Sequence, residues 1–122
     1  MAAHYLHRGS DGSLLSLMVF FRTGHESPLL ARLLDTIPER DSRQHPVAVD
    51  RLDHDAAIPV RRGYHAYRGS LTAQPCTEGV RWLLLKEALE LSADQLARYR
   101  RAFAGNARAT QALYGPIVEE SE

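Results

Sequence analysis

The chain lacks the features that mark several common classes of protein. Its 122 residues contain one cysteine, Cys76, which excludes an internal disulfide framework and a cysteine-based zinc site. Lys plus Arg and Asp plus Glu each number 15, so no excess charge favours nucleic acid or an anionic membrane surface as a partner. The longest apolar stretch, residues 14–21, is far shorter than the ~20 residues a membrane-spanning helix needs. No signal peptide is visible in residues 1–10.

What the chain does have is the composition of one globular unit. Apolar residues make up 44% of it, which is enough for an ordinary core in a chain of this length. There is no internal repeat, low-complexity segment or long Pro/Gly/Ser linker. We therefore expect residues 1–122 to form a single unit.

The pattern of apolar and turn residues predicts a strand-dominated fold. Strands are expected over residues 3–8, 14–21, 64–71 and 80–86, with an Asp11-Gly12 turn between the first two. Ser27-Pro28 predicts a helix start, and the apolar residues that follow have helical spacing as far as Ile37. Ser92 with Gln95 forms a capping-box pattern that opens a second helix over residues 93–103.

The remaining segments have weaker patterns. Residues 39–59 are polar and are predicted to be mostly loop, and the last seventeen residues are predicted to be extended or irregular. The result is a mainly β (α+β) class with a mostly antiparallel sheet and short peripheral helices. Several strands read as apolar on both faces, yet little of the chain is left to cover them. Folded proteins usually avoid such exposed edges, so we expect partner strands to be missing.

Residues 69–82, GSLTAQPCTEGVRW, resemble the α-class carbonic anhydrases, whose signature here is G-S-L-T-x-P-P-C-x-E-x-V-x-W. The resemblance continues through Tyr64 and Tyr67, the LKE and LS-QL stretches after Trp82, and the residues from Asn106 to Leu113. It also includes the HYLH and DG segments near the start. The match is in order along the whole chain and corresponds to about the C-terminal half of a family domain. It implies a partial α-carbonic anhydrase fold that lacks its N-terminal strands, and zinc-dependent reversible hydration of CO2 to bicarbonate as the ancestral function.

The zinc site that this resemblance implies is incomplete. In the family three histidines hold zinc, which lowers the pKa of a bound water to about 7. Two of them come from an H-x-H strand, a pattern absent among the six histidines of this chain. The resemblance places His4 at the third-ligand position, whereas His7 would lie on the opposite face of the strand. Ala2 stands where the family has a glutamate that orients this ligand. Tight zinc binding by this chain alone is therefore not expected.

The resemblance also assigns a catalytic residue and part of a substrate pocket. Thr72 matches the gatekeeper threonine, whose hydroxyl accepts a hydrogen bond from zinc-bound hydroxide and donates to a glutamate in the missing half. The resemblance also implies that the backbone N–H of Thr72 holds bicarbonate or an anionic inhibitor. Ser16 replaces a small apolar residue at the floor of the CO2 pocket, and the family's cis peptide is expected before Pro75. The residues expected to line the pocket are Leu6, Ser16, Leu71, Ala73 and Trp82.

Two main hypotheses follow from this pattern. The first is a truncated carbonic anhydrase that is inactive on its own and needs an N-terminal half, with CO2 and bicarbonate as substrates. The second is a non-catalytic carbonic-anhydrase-related module that serves in binding or assembly. Self-association through the uncovered strands is a third possibility, although a two-fold dimer offers only two copies of His4. Family members in bacteria are commonly periplasmic or secreted, but the sequence of this chain does not fix a compartment.

Overall fold

The computed structural model describes residues 1–37, 53–103, 105–112, 115 and 117–122. The described strands are β1 (Ala2–Arg8), β2 (Leu14–Thr23), β3 (Tyr64–Gly69), β4 (Val80–Leu85), β5 (Leu89–Leu91) and β6 (Glu119–Ser121). The described helices are α1 (Pro28–Asp35), α2 (His54–Ala57) and α3 (Ala93–Ala102). None of these helices is long and apolar enough to cross a membrane.

The strands form one six-stranded sheet in the order β1-β2-β4-β3-β6, with β5 pairing to the end of β2. β1 with β2, β4 with β3, and β3 with β6 are antiparallel pairs. β2 runs parallel to both β4 and β5. The prediction of a mainly β fold with a mostly antiparallel sheet and short helices is confirmed.

The helices cover one face of this sheet. Val19 and Phe21 of β2 and Leu85 of β4 pack against Leu30 and Leu34 of α1 to form the buried core. Helix α1 begins as predicted, because the Ser27 side chain accepts a hydrogen bond from the Leu30 N–H and proline occupies the first helical position. The Ser92–Gln95 capping box at the start of α3 is also present.

The opposite face of the sheet carries the alternate residues of each strand, whose side chains point away from the core. Its cross-strand rows follow from the register. One row runs Leu6, Ser16, Trp82, Tyr67 across β1, β2, β4 and β3. On this face the side chains of Leu6 and Phe20 remain 52% and 40% exposed. Among the described residues no strand pairs with the outer edge of β1, as the expectation of missing partner strands requires.

Three short elements depart from the sequence prediction. Helix α2 lies in the segment predicted to be mostly loop; its start is held by the Asp53 carboxylate, which accepts from the N–H groups of Asp55 and Ala56. Strands β5 and β6 were not predicted, because three residues are too few to show an alternating pattern. They form where a longer strand, β2 or β3, offers an edge. The rest of the predicted loop, residues 39–52, and residues 104, 113, 114 and 116 lie outside the described part.

Candidate functional site

The candidate site begins with His4 on the sheet face opposite the core. His4 pairs across strands with Met18, one row away from Ser16, whose partner on β4 is Trp82. This register brings the His4 and Trp82 rings to 5.1 Å between centroids, nearly perpendicular at 85°. His4 keeps part of its surface in solvent, and its partial burial lowers the pKa of the imidazole below the usual 6.5.

Trp82 connects the strand face to the loop that follows β3. Its side chain is only 2% exposed, and its indole N–H donates to the backbone oxygen of Ser70 at 3.1 Å. Tyr67 stacks against it with the rings nearly parallel and 6.3 Å between centroids. A buried indole needs a partner for its N–H, so this bond fixes the start of the loop relative to the sheet.

The loop from Ser70 to Thr77 is closed by its own backbone hydrogen bonds. The Leu71 N–H donates to the Thr77 oxygen at 2.9 Å, and the Cys76 N–H donates to the Ala73 oxygen at 2.8 Å. The peptide bond before Pro75 is cis, as the resemblance led us to expect. Thr72 lies at the exposed end of this closed loop.

Arg108 braces the same loop from the C-terminal part of the chain. Its Nη1 donates to Ser70 Oγ at 2.7 Å and to the Leu71 backbone oxygen at 3.3 Å. Sequence reasoning included this arginine in the family resemblance but gave it no role in the site. Spacing offered no signal, because 38 residues separate it from Ser70.

Two adjoining grooves bring the candidate residues together. One, of about 620 Å³, is lined by His4, Met18, Thr72, Ala73 and Arg108 among others. The second, of about 580 Å³, shares Met18, Thr72 and Arg108 and adds Trp82. The structure thus places His4, Thr72, Ala73 and Trp82 around one continuous depression.

Three other predicted pocket residues lie beside these grooves rather than lining them. Leu6 and Ser16 are cross-strand partners in the row that contains Trp82, and Ser16 is almost fully buried. Leu71 is half-buried in the loop next to Thr72. Their role in a substrate pocket stays a prediction.

The side chains that the structure describes do not make up a complete zinc site. In the part of the chain that the structure describes, no group of three or more His, Cys, Asp or Glu side chains is placed to hold a metal ion. His7 pairs with Leu15 and so lies on the opposite face from His4, as strand alternation predicted. His25 instead contacts Glu90, with 2.6 Å between Nδ1 and Oε2. His4 is thus the one imidazole in the described depression.

The fold and these motifs define a class of protein with a known family model. The model described as eukaryotic-type carbonic anhydrase matches residues 6–119. A carbonic anhydrase from Klebsiella pneumoniae is 36% identical over 98% of this chain and 49% of its own length. The α-carbonic anhydrase of Thermovibrio ammonificans, solved with the inhibitor sulfanilamide, is 38% identical with a TM-score of 0.83 over 96% of this chain and 52% of that one. Dioscorin complexed with ascorbate is 28% identical with a TM-score of 0.80, over 99% of this chain and 53% of that one.

The chain belongs to the α-class, or eukaryotic-type, carbonic anhydrase family. It spans about half the length of the curated relatives that it matches. The members of this family are zinc enzymes, whereas the described residues of this chain show no metal site of their own.

Proposed function

We propose that this chain is one part of an α-carbonic anhydrase catalytic domain, and that it takes part in the hydration of CO2 only when the other part is joined to it. In this proposal His4 is one zinc ligand, Thr72 is the gatekeeper, and the row around Trp82 forms the wall of the CO2 pocket. The observation that carries it is that His4 and Thr72, 68 positions apart in the sequence, line one groove on the sheet face opposite the core.

The edge of β1 supports the need for a second part. Met1 O accepts from the Phe21 N–H, so residues 1, 3, 5 and 7 direct their backbone groups toward β2. Strand alternation then turns the N–H and C=O groups of Ala2, His4 and Leu6 toward the open edge. An additional strand bonded there would lie directly beside His4, where side chains from a neighbouring strand could complete a ligand set.

The chemistry of the pocket wall suits a small apolar substrate. Leu6, Trp82 and Met18 are apolar side chains on the same sheet face. An apolar wall of this kind would keep water away from a CO2 molecule bound beside it. Ser16 adds a hydroxyl to this row. Because Ser16 is almost fully buried, it contributes less polar surface to the pocket than an exposed serine would. The wall therefore keeps the character that the proposal needs.

Zinc binding by this chain alone is not part of the proposal. A catalytic zinc takes three protein ligands, and the described depression offers one imidazole. The remaining ligands would have to come from the other part of the domain. An H-x-H pattern encoded upstream of Met1 is the first thing to look for.

The alternative function is a non-catalytic binding or assembly module. The dioscorin structure favours keeping it, because a protein with this fold was solved with ascorbate bound. Three departures from the family pattern also favour this alternative: Ala2 in place of a glutamate, Ser16 in place of a small apolar residue, and Gln74 in place of the first proline of the P-P pair. The intact Ser70-Leu71-Thr72 segment favours the catalytic proposal.

A chimera tests the proposal directly. The N-terminal half of the Thermovibrio ammonificans protein is joined ahead of this chain, and native mass spectrometry with one equivalent of zinc is combined with stopped-flow CO2 hydration. We expect no bound zinc and no hydration for the 122-residue chain alone. The chimera should bind one zinc and hydrate CO2, and sulfanilamide should inhibit it.

Two histidines of the same strand give a matched pair of variants. His4→Ala should abolish zinc binding by the chimera, whereas His7→Ala, on the opposite face, should leave it unchanged. One tightly bound zinc on the chain alone would contradict the proposal. A folded, zinc-loaded chimera that does not hydrate CO2 would favour the binding-module alternative.

A further inference from the structure

We infer that Arg108 is a positioning residue for this site: it holds the peptide plane between Leu71 and Thr72 and thereby sets the direction of the Thr72 backbone N–H. The importance of that N–H for an anionic ligand rests on the proposed function. The contact itself does not, and it can be tested on the 122-residue chain.

The evidence starts with the contacts of one guanidinium nitrogen. Arg108 Nη1 donates to Ser70 Oγ at 2.7 Å and to the Leu71 backbone oxygen at 3.3 Å. An NH2 group of arginine carries two hydrogens in a fixed plane, so two acceptors of neighbouring residues can be held at once. The first bond fixes a side chain of the loop, and the second fixes its backbone.

The backbone contact determines the neighbouring donor through the geometry of the peptide bond. The Leu71–Thr72 peptide is a rigid plane, and in a trans peptide the C=O and the following N–H point in opposite directions. Holding the Leu71 oxygen toward Arg108 therefore turns the Thr72 N–H away from Arg108. A cationic donor on the carbonyl also polarises the peptide and strengthens its N–H as a donor.

The Thr72 N–H is free to serve a ligand in the structure as described. Among the described residues it has no hydrogen-bond acceptor, whereas the N–H groups of Leu71 and Cys76 are both used to close the loop. Thr72 is exposed, and it lines the same groove as His4. Arg108 thus fixes a peptide whose remaining donor is available at the site.

Other contacts show that this role is specific to Arg108. The Trp82 indole holds the Ser70 carbonyl, and Thr77 holds the Leu71 N–H, but neither contacts the Leu71 carbonyl. Arg68 lines the same 580 Å³ groove and carries the same charge, yet it makes no hydrogen bond to the loop among the described residues. Arg68→Ala is therefore a matched control for loss of a guanidinium in this groove.

The test uses isotope-labelled 122-residue chain and nuclear magnetic resonance. Two quantities are compared for wild type, Arg108→Ala, Arg108→Lys and Arg68→Ala. The first is the rate of amide hydrogen exchange at Leu71, whose N–H is bonded to the Thr77 oxygen and so reports on opening of the loop. The second is the chemical shift of the Thr72 amide. We expect Arg108→Ala to accelerate exchange at Leu71 about tenfold, the factor that corresponds to loss of one charge-assisted hydrogen bond, and to shift the Thr72 amide. Arg108→Lys should restore part of both effects, and Arg68→Ala should cause neither.

Amides at the centre of β4, such as Leu83, report on global stability and should not change in any variant. Unchanged Leu71 exchange and Thr72 shift in Arg108→Ala would overturn the inference. Equal acceleration at Leu71 and Leu83 would also overturn it, since Arg108 would then act on the whole fold.

A second readout connects the contact to the site. In the zinc-loaded chimera, the inhibition constant for thiocyanate and the number of active sites are measured separately. Arg108→Ala should weaken inhibition about fivefold, and Arg68→Ala, which removes the same charge from the groove but no bond to the loop, should weaken it by less. A merely structural role would reduce the number of active sites without changing the inhibition constant. If the wild-type chimera is inactive, the proposed function fails, and the exchange experiment on the chain still decides the role of Arg108.

Discussion

Replacement of Gln95 tests how the two helical segments are joined. Gln95 is only 7% exposed, and its amide serves both helix starts. Its Oε1 accepts from the backbone N–H of Ser92 at 3.1 Å and from that of Ser27 at 2.9 Å, and its Nε2 donates to the Ser27 backbone oxygen at 2.8 Å. One side chain therefore closes the capping box of α3 and also fixes the residue that caps α1.

The magnitude follows from those three hydrogen bonds. Each intramolecular hydrogen bond contributes roughly 1 kcal/mol net, so Gln95→Ala should lower the free energy of unfolding by about 3 kcal/mol. The loss is large because two backbone groups of Ser27 lose their partner in a buried place. For a chain of this size, about 4 °C of Tm corresponds to 1 kcal/mol, so we expect Tm to fall by roughly 12 °C.

Urea unfolding followed by tryptophan fluorescence measures this loss. Trp82 is the only tryptophan of the chain and is buried, so its emission reports on unfolding. Gln111→Ala is the matched control, because Gln111 is exposed and, among the described residues, its amide donates only to the carbonyls of Ala109 and Thr110. This variant should change stability by less than about 0.5 kcal/mol. Gln95→Glu should also destabilise, since it replaces the Nε2 donor with an oxygen facing a carbonyl. A loss below about 1 kcal/mol for Gln95→Ala would refute the reasoning, because three buried hydrogen bonds cannot cost so little.

Three further predictions concern other contacts. Trp82→Phe removes the bond to the Ser70 carbonyl and leaves a gap, so thermal unfolding followed by circular dichroism should show a loss of roughly 2 kcal/mol; no loss would mean that the loop is held without the indole. Hydrogen bonds from the His25 backbone and ring lower the pKa of Glu90 to about 2, so its contribution to stability is present above pH 4.5 and is lost as pH falls toward 2. A nuclear magnetic resonance titration should give a Glu90 midpoint near 2, Glu90→Gln should flatten the pH dependence of unfolding in that range, and a midpoint near 4.5 would contradict the contact. Ser27→Ala removes the N-cap of α1 and should cost about 1 kcal/mol in urea unfolding, whereas an unchanged midpoint would show that the cap is dispensable.

Local signals in the sequence predicted the main elements well. The Asp11-Gly12 turn, the Ser27-Pro28 helix start and the Ser92–Gln95 capping box each depend on residues within a few positions of one another. Such signals can be recognised in the sequence because the residues that form them contact near neighbours along the chain. Strands β5 and β6 were missed because a strand of three residues acquires its stability from the neighbour it pairs with. Helix α2 was missed because four residues are too few to show helical spacing.

The candidate site was also predicted from the sequence only in part. The gatekeeper segment around Thr72 and the position of His4 were identified by resemblance, and the absence of an H-x-H pattern predicted an incomplete metal site. That His4 meets the Trp82 ring, and shares a groove with Thr72, depends on the register of β1, β2 and β4. No residue in any one of these strands specifies that register alone.

The sequence by itself determined the family, the strand-dominated class, and the lack of an H-x-H pattern. Those properties are carried by residue identity and by spacing along the chain. Only the tertiary structure decided that Arg108 contacts Ser70 and Leu71, and that Gln95 bonds to Ser27 in addition to closing the capping box with Ser92. These contacts join residues up to 68 positions apart, and packing of the whole sheet and its helices is what brings such distant donors and acceptors within hydrogen-bond distance.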